Sequence, residues 1–480
     1  MDKLNGLKPE KVFRFFEDIC AIPHGSGDMR KISDWCVKFA NERGLRVIKD
    51  TACNVIIFKN GTLGYENASP VILQGHLDMV CQKTLDCNID FEQEGLDLAV
   101  NGDFISANKT TLGADNGIGS AIILALLDSN DIPHPPIEAV FTADEETGML
   151  GAVALDTSVL KGKTMINLDS EDLDIVTVSC AGGQDIAVEL SLCRNDCEGE
   201  PVEIILDGMQ GGHSGVEINK NRINAAVLLG RVLNHIMFKN DFNLIEIIGG
   251  DKGNAITKRA SAKIIAHNPQ KIKAELDEYL NTVKAELSAC EPSFTYSLNV
   301  GEKGTYSVID DDKTDRIVSF LANCPQGVIH MSSEIDGLVE TSQNLGVAIS
   351  TDNLFKAVVS QRSSRASALV WLREKLYSLV GLIGASASVS GIYPPWEYLA
   401  NSKTRDLWCE CCKEVVGISP HVEAIHAGLE CGVFSSAIEG LDCISVGPEL
   451  FDIHTPDERV SISSVEKLWK ILLSVLAKLD

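Results

Sequence analysis

The clearest indication of the fold is the segment Val71-Ile-Leu-Gln-Gly-His-Leu-Asp78, in which a short apolar run ends in a histidine and an acid. Acids also follow apolar runs directly in Val140-Phe-Thr-Ala-Asp-Glu-Glu-Thr-Gly148 and in Met165-Ile-Asn-Leu-Asp169. Between the first two segments, Gly117–Leu127 has the apolar character of a buried helix. Strands that alternate with helices in this way are typical of α/β layer folds. We therefore expect an α/β domain with a mostly parallel sheet.

The middle of the chain has a different order of elements. From residue 201 onward, apolar alternation and helical periodicity predict the order β-α-β-β-α-β twice in succession. We interpret residues 185–385 as an inserted α+β lid domain built from two such units in tandem. From Trp396 the α/β pattern returns and ends in an amphipathic helix. The predicted catalytic domain is therefore discontinuous and comprises residues 1–184 and 386–480.

The composition excludes several classes of function. The chain has 480 residues and a formal net charge of −26 at pH 7, and such an acidic surface repels nucleic-acid phosphates. Its apolar runs are too short to span a bilayer, so we expect no membrane partner. The N-terminus lacks the apolar core of a signal peptide, and the 15 cysteines are therefore interpreted as reduced thiols. These features predict a cytoplasmic protein.

Histidines and acids recur where the predicted strands end and where one helix begins. They are His76, Asp78, Asp115, Glu145, Glu146, Asp169 and, in a late loop, His454. In open α/β sheets, ligands bind beyond the carboxyl ends of the strands. Carboxylates crowded at one edge repel each other unless cations compensate, and two divalent cations with one hydroxide neutralise three ligating carboxylates. Imidazole and carboxylate ligands favour Zn²⁺, with Mn²⁺ or Co²⁺ as substitutes.

Together these motifs resemble the di-zinc metallopeptidase family that includes carboxypeptidase G, peptidase T and carnosinase. Three further segments are similar to its aminoacyl-histidine (Xaa-His) dipeptidase subgroup in particular. They are Gly211-Gly-His-Ser-Gly215, Val339-Glu-Thr-Ser-Gln-Asn-Leu-Gly346 and Ile425-His-Ala-Gly-Leu-Glu-Cys-Gly432. The similarity runs from the first predicted helix to the last. It therefore covers essentially the whole chain.

The resemblance implies a role for each residue of the catalytic domain. Asp115 would bridge two metal ions, one of which would add His76 and Asp169 and the other Glu146 and His454. Asp78 would hold the His76 imidazole. Glu145 would be the general base that activates the metal-bridging water. The family also has a cis peptide bond after the bridging aspartate, here between Asp115 and Asn116.

In the lid, the resemblance implies that His213 helps to stabilise the oxyanion. Where the family has Pro, Arg and Glu, this chain has Thr257, Lys258 and Arg259. A lysine cannot bind a carboxylate bidentately as an arginine can, so Lys258, Arg259 or Arg362 is left as the cation for the substrate carboxylate. The full set of predicted substrate-binding residues is Asn254, Lys258, Arg362, His426 and Glu430.

Three functions are consistent with these residues. The first is hydrolysis of dipeptides with a free amino terminus, with Xaa-His preferred and β-Ala-His as a further substrate. The second is an N-acyl amino-acid amidohydrolase on the same scaffold, and the third is a binding protein derived from it. The complete set of ligands and the presence of Glu145 disfavour the third. The lid would close over the dipeptide and exclude longer chains, and a homodimer through the lid and a monomer both remain open.

Overall fold

The computed structural model describes residues 3–479. The chain divides into two compact units. Unit 1 comprises the chain up to Cys180, Tyr398–Ala424 and the chain from Leu429 onward, and unit 2 comprises Ala181–Glu397 with Ile425–Gly428. No helix among the described residues has both the length and the apolar character needed to cross a membrane.

The bounds of the helices and strands, in chain order, are as follows. The first segment of unit 1 contains α1 (Glu10–Cys20), α2 (Arg30–Glu42), β1 (Arg46–Lys49), β2 (Val55–Lys59), β3 (Val71–His76), β4 (Leu98–Asn101), β5 (Phe104–Ala107), α3 (Ala114–Leu127), β6 (Ile137–Thr142), α4 (Leu150–Ala154), β7 (Thr164–Asn167) and β8 (Ile175–Cys180). Unit 2 contains β9 (Gly182–Ser191), β10 (Arg194–Gly199), β11 (Pro201–Asp207), β12 (Gly212–His213), α5 (Ala225–Met237), β13 (Phe242–Gly249), β14 (Ala255–Ile256), β15 (Ala260–Ala266), α6 (Pro269–Leu287), β16 (Thr295–Val300), β17 (Gly304–Ile309), α7 (Asp311–Asn323), β18 (Gly327–Met331), β19 (Val339–Ser350), β20 (Leu354–Ser363), α8 (Ala366–Leu382) and β21 (Ser386–Tyr393). The last segment contains α9 (Lys403–Val415), β22 (His421–Ile425), α10 (Glu430–Ala437), β23 (Asp442–Ser445), β24 (Leu450–Phe451), β25 (Arg459–Ser461) and α11 (Ile462–Lys478).

The main sheet of unit 1 has the strand order β1-β2-β6-β3-β7-β23-β8-β22. Its centre is parallel, since β3 pairs in parallel with both β6 and β7, and β7 does so with β23. The outer pairs β1–β2 and β2–β6 are antiparallel. Helix α3 packs against β3 and α1 and is apolar on nearly all sides, as expected for a buried helix. The expected α/β fold with an α+β insertion is confirmed.

The nine-stranded sheet of unit 2 has the order β16-β11-β15-β13-β19-β20-β9-β21, which consists of two four-stranded halves, and β18 pairs with β19 outside this order. One half follows β11-α5-β13-β15-α6-β16, the first of the two expected β-α-β-β-α-β units. The other half takes β9 as its first strand, because β9 pairs with β20 and β21. The first unit is therefore nested within the second, whereas we expected two units in tandem. Strand β9 was not predicted from the sequence, because its partner β20 is distant from it along the chain.

The unit boundaries also differ from the expected ones. The sequence placed residues 386–397 in the catalytic domain, but Ser386–Tyr393 forms β21, which pairs antiparallel with β9 in unit 2. Unit 2 begins at Ala181, whereas we expected the inserted domain to begin at residue 185. Residues 425–428 also belong to unit 2, so the chain crosses between the units more often than expected.

Candidate metal centre

The histidine and most of the acids of the site follow three neighbouring parallel strands of unit 1. Strand β3 ends at His76, β6 is followed by Glu145 and Glu146, and β7 is followed by Asp169. His76 is paired in register with Thr142, the last residue of β6. Because parallel neighbours end at the same edge of a sheet, these side chains meet there. Asp115 joins them from the first turn of α3.

The donor atoms form two groups that share Asp115. In the first group, His76 Nε2 lies 3.2 Å from Asp115 Oδ1 and 3.4 Å from Asp169 Oδ1. In the second, His454 Nε2 lies 3.2 Å from Asp115 Oδ2 and 2.9 Å from Glu146 Oε1. The two oxygens of Asp115 therefore face different histidines, which is the arrangement that a bridging carboxylate requires. The peptide bond between Asp115 and Asn116 is cis, as the resemblance implied.

The protonation behaviour of these groups fits a cation site. Burial raises the pKa of Asp169 to about 6. Hydrogen bonds to Asp115 and Glu146 raise the pKa of His454 to about 10. Burial opposes protonation of His76, but the Asp169 and Asp115 carboxylates raise its pKa well above the usual value. The imidazoles of His76 and His454 thus supply positive charge that offsets the repulsion among the crowded carboxylates. Divalent cations would supply that charge instead, because the imidazoles must lose their extra protons to bind a metal ion.

The side chains of the site also offer ligand atoms of the chemical type and the spacing that metal ions require. Ligand atoms of His76, Asp115 and Glu146 all lie within 4.8 Å of one another. Asp169 Oδ1 is buried and, among the described residues, has no hydrogen-bond partner. Imidazole nitrogens and carboxylate oxygens without thiolates are the donors that Zn²⁺ and Mn²⁺ accept. The residues present therefore fit divalent metal ions.

Asp78 fixes the loop that carries the two glutamates. Its carboxylate accepts hydrogen bonds from the backbone N–H groups of Glu145 (3.0 Å) and Glu146 (3.2 Å), and from the Ser26 hydroxyl (2.9 Å). The His76 Nδ1 atom lies 3.0 Å from the Asp78 carbonyl oxygen and 3.4 Å from its Oδ1. Asp78 thus lies beside the imidazole. It also orients the neighbouring loop, which the sequence did not indicate.

Glu430 lies inside unit 1 and has no exposed surface. Its Oε2 accepts hydrogen bonds from Gln74 Nε2 (2.5 Å) and from the Thr142 hydroxyl (2.7 Å). Gln74 Oε1 in turn accepts a bond from the Asn167 amide (2.5 Å). Burial raises the pKa of Glu430 to about 8. Such an enclosed side chain does not reach a substrate, which contrasts with the substrate-binding role we expected for it.

In unit 2, His213 has a defined tautomer. Its Nδ1 accepts hydrogen bonds from the backbone N–H groups of Gly215 (3.1 Å) and Val216 (3.3 Å), so the ring proton is on Nε2. Burial and the nearby charge of Arg362 lower the pKa of His213. His213 is therefore a neutral imidazole that can donate one hydrogen bond from Nε2.

The other predicted residues of unit 2 differ in their surroundings. Arg362 donates from Nη1 to the Tyr393 hydroxyl (2.8 Å), and its buried Nε has no partner within the described part of the chain. His426 is buried beside the Ser342 hydroxyl (2.7 Å), and burial with the Arg362 charge lowers its pKa to about 3. Arg362 therefore lies near both His213 and His426. Asn254 and Lys258 are exposed.

Two acids near the centre were missed by the sequence analysis. Burial, together with the charges of Asp115 and Asp169, raises the pKa of Glu171 to about 7. Glu458 is buried and accepts hydrogen bonds from the loop that precedes Asp115. The position of Glu171, two residues after Asp169, could have indicated its proximity. No local pattern indicates that of Glu458.

Comparison with known proteins agrees with this geometry. Residues 72–478 match the model of a single protein family. The chain belongs to peptidase family M20/M25/M40. The resemblance drawn from the motifs is therefore confirmed, and with it the assignment to the peptidases.

Two relatives match almost the entire length of the chain. The cytosol non-specific dipeptidase of Escherichia coli (strain K12) is 36% identical over 483 residues, which span 100% of this chain and 99% of that protein. The crystal structure of aminoacylhistidine dipeptidase from Vibrio alginolyticus has a TM-score of 0.93 at 36% identity, and the match covers 99% of this chain and 98% of that one. Aminopeptidase PepT from Bacillus cereus shares the fold at 14% identity, with a TM-score of 0.57 and coverage of 98% and 99%.

Proposed function

We propose that this chain is a metal-dependent dipeptidase that hydrolyses dipeptides with a free amino terminus and prefers Xaa-His. The observation that carries the proposal is that the possible metal-ligating side chains form two groups around Asp115. His76 and Asp169 lie at one of its oxygens, and His454 and Glu146 lie at the other. Two full-length relatives bear the names of dipeptidases, which supports the substrate class.

These five residues would hold two divalent cations, with Zn²⁺ as the first choice and Mn²⁺ or Co²⁺ as substitutes. When bound, such a pair lowers the pKa of water and polarises a carbonyl group. The chain's own contribution is to keep the ligands fixed. Asp78 does so for His76 and for the loop of Glu146 through the contacts described above.

Glu145 is the proposed general base. It takes a proton from the attacking water and returns that proton to the leaving amine. Burial raises the pKa of Glu145 well above the usual value, and the Asp169 charge adds to the increase while His76 opposes it. A carboxylate with a raised pKa holds the proton long enough to deliver it. The hydrogen bond from the Glu145 N–H to Asp78 fixes the backbone that carries this side chain.

His213 is the proposed donor to the oxyanion. Its neutral imidazole presents an N–H group at Nε2, and a neutral donor stabilises a developing negative charge without itself losing a proton. The two backbone hydrogen bonds to Nδ1 support the role because they fix both the tautomer and the orientation of the ring.

Arg362 is the proposed cation for the substrate carboxylate. Its Nε is buried without a partner among residues 3–479, whereas the Lys258 side chain is exposed. Arg259 lies 3.6 Å from the Asp207 carboxylate, and its side chain is 62% exposed. A guanidinium with an unused donor is suited to bind a planar carboxylate.

The experiment that tests the function is a panel of hydrolysis assays. The Zn²⁺- or Mn²⁺-loaded protein is given Ala-His, β-Ala-His, Ala-Ala, Ala-Ala-Ala and N-acetyl-His, each with and without chelator. We expect chelator-sensitive cleavage of the free-amine dipeptides, fastest for Ala-His, and slow cleavage of the tripeptide. Cleavage of N-acetyl-His alone would indicate an N-acyl amino-acid amidohydrolase. No cleavage of any compound would indicate a binding protein.

We also propose that the protein is cytoplasmic. All 15 of its cysteines lie in the described residues, and no disulfide bond joins any two of them there, as expected in a reducing compartment. A homodimer through the inserted domain stays a prediction. Strand β21 lies at the edge of its sheet, and an edge strand can pair with a strand of a second copy. Sedimentation equilibrium of the full chain would decide between monomer and dimer.

A further inference from the structure

Glu458 binds the backbone at the start of α3 with both carboxylate oxygens. Its Oε2 accepts hydrogen bonds from the N–H groups of Leu112 (2.7 Å) and Gly113 (3.1 Å). Its Oε1 accepts from those of Ala114 (2.8 Å) and Asp115 (3.4 Å). The side chain is buried, with 2% of its surface exposed. One carboxylate thus accepts from four consecutive backbone N–H groups.

The turn before α3 needs such an acceptor. Asp115 (φ −83°, ψ 104°) and Asn116 (φ −111°, ψ 30°) are not helical, and the N–H groups of a first helical turn have no acceptor within the helix. An unpaired buried N–H group is costly, and a negative charge is favourable at a helix N-terminus. Gly113 allows the left-handed bend (φ 66°), where a Cβ would approach the Met79 sulfur to 2.8 Å.

The segment that carries Glu458 also carries His454, four residues earlier. Glu458 binds the backbone of Asp115, and His454 lies 3.2 Å from the Asp115 carboxylate. We propose that Glu458 is a positioning residue that holds Asp115 and His454 in the geometry required for metal binding. The inference rests on the proposed function, because it assumes that Asp115 is a metal ligand.

The test compares Glu458→Gln with a matched control. A glutamine has one acceptor oxygen, so its NH₂ group would face two of the four backbone donors. We expect Co²⁺ affinity to fall on the order of 10- to 100-fold, with a changed visible absorption spectrum of the Co²⁺ complex. With saturating metal, kcat should fall more than KM rises, because a misplaced ligand affects the reacting centre more than the binding of the peptide.

The control is Glu138→Gln. Glu138 is also buried and accepts hydrogen bonds from the backbone N–H groups of Lys161 (2.9 Å) and Gly162 (3.0 Å). It lies at the start of β6, away from the end of that strand at which Glu145 and Glu146 follow. We expect Glu138→Gln to lower the unfolding temperature but to leave the Co²⁺ affinity and spectrum unchanged.

The outcomes separate this inference from the proposed function. If the wild-type protein binds no divalent cation, the proposed metal centre is wrong, and the inference fails with it. If wild type binds Co²⁺ and Glu458→Gln binds it equally well with the same spectrum, only the inference is overturned. Equal losses in both variants would also overturn it, because they would indicate a general structural effect. If Glu458→Gln does not fold, Glu458→Asp replaces it, and we expect the same loss of Co²⁺ affinity.

Discussion

The Glu430 carboxylate accepts a hydrogen bond from the Gln74 amide at 2.5 Å, and the same oxygen accepts one from the Thr142 hydroxyl at 2.7 Å. Gln74 belongs to β3 and Thr142 ends β6, and the Gln74 amide oxygen also binds Asn167 of β7. This buried network therefore joins the three strands whose ends carry His76, the two glutamates of the site and Asp169. It fixes the spacing of the strand ends that carry the proposed metal ligands.

Substitution of Glu430 should show whether its shape or its charge is needed. Both hydrogen bonds converge on Oε2, so Glu430→Gln keeps an acceptor there and should retain metal affinity and activity within about threefold. Glu430→Ala removes the acceptor and should lower metal affinity on the order of 10- to 100-fold. Competition with a chromophoric chelator measures both. A glutamine variant as impaired as the alanine variant would show that the charge itself is required.

The residues that could be predicted are those whose position follows from a single strand or helix. His76 and Asp169 follow apolar runs that local alternation identifies, and Asp115 precedes an apolar helix. The positioning roles of Glu430 and Glu458 could not be predicted. Glu430 is 356 positions from Gln74, and Glu458 is 343 to 346 positions from the N–H groups that it accepts. Such contacts arise from tertiary folding. A single sequence, taken without aligned relatives, contains no local pattern that indicates them.

The same limit explains the fold of the insertion. The first β-α-β-β-α-β unit was predicted from contiguous elements because its strands follow one another. Strand β9 belongs to a unit that resumes only at α7, so element order alone suggested a tandem arrangement.

The role of Glu145 can be separated from metal binding. Glu145→Gln preserves the size of the side chain but removes the group that accepts the proton. We expect kcat to fall by about 10²- to 10⁴-fold, the usual contribution of a general base. Metal content, measured by elemental analysis after gel filtration, should equal that of the wild type. Unchanged hydrolysis would mean that the proposed mechanism is wrong.

His426 should make the protein less stable in mild acid. Because burial and Arg362 lower its pKa to about 3, the unfolded chain binds a proton below pH 6.5 that the folded chain excludes. The stability present above pH 6.5 is therefore lost as the pH falls toward 3. At pH 5 the loss from this group is roughly 1–2 kcal/mol. Urea unfolding measures the free energy of unfolding at pH 7 and at pH 5. The difference between the two values should be smaller in His426→Asn than in wild type. In His267→Asn, an exposed control, it should equal that of wild type.

Arg362 should determine the affinity for the substrate carboxylate. A lysine at this position keeps the positive charge but loses the second donor, and a lost hydrogen bond to a charged group costs about 1.5–3 kcal/mol. We therefore expect Arg362→Lys to raise the KM for Ala-His by roughly 10- to 100-fold, with a smaller change in kcat. The exposed Lys258 is the matched control, and Lys258→Gln should leave KM within about threefold.

A dipeptide amide, which lacks the carboxylate, sharpens this test. It should be a poor substrate of the wild-type protein, and Arg362→Lys should impair its hydrolysis far less than that of Ala-His, because the lost donor has no carboxylate to bind. If Lys258→Gln instead raises the KM and Arg362→Lys does not, the carboxylate binds at Lys258 as a point charge. Equal impairment of the amide and the free acid by Arg362→Lys would assign Arg362 to the packing around His213 and His426, whose pKa values it lowers.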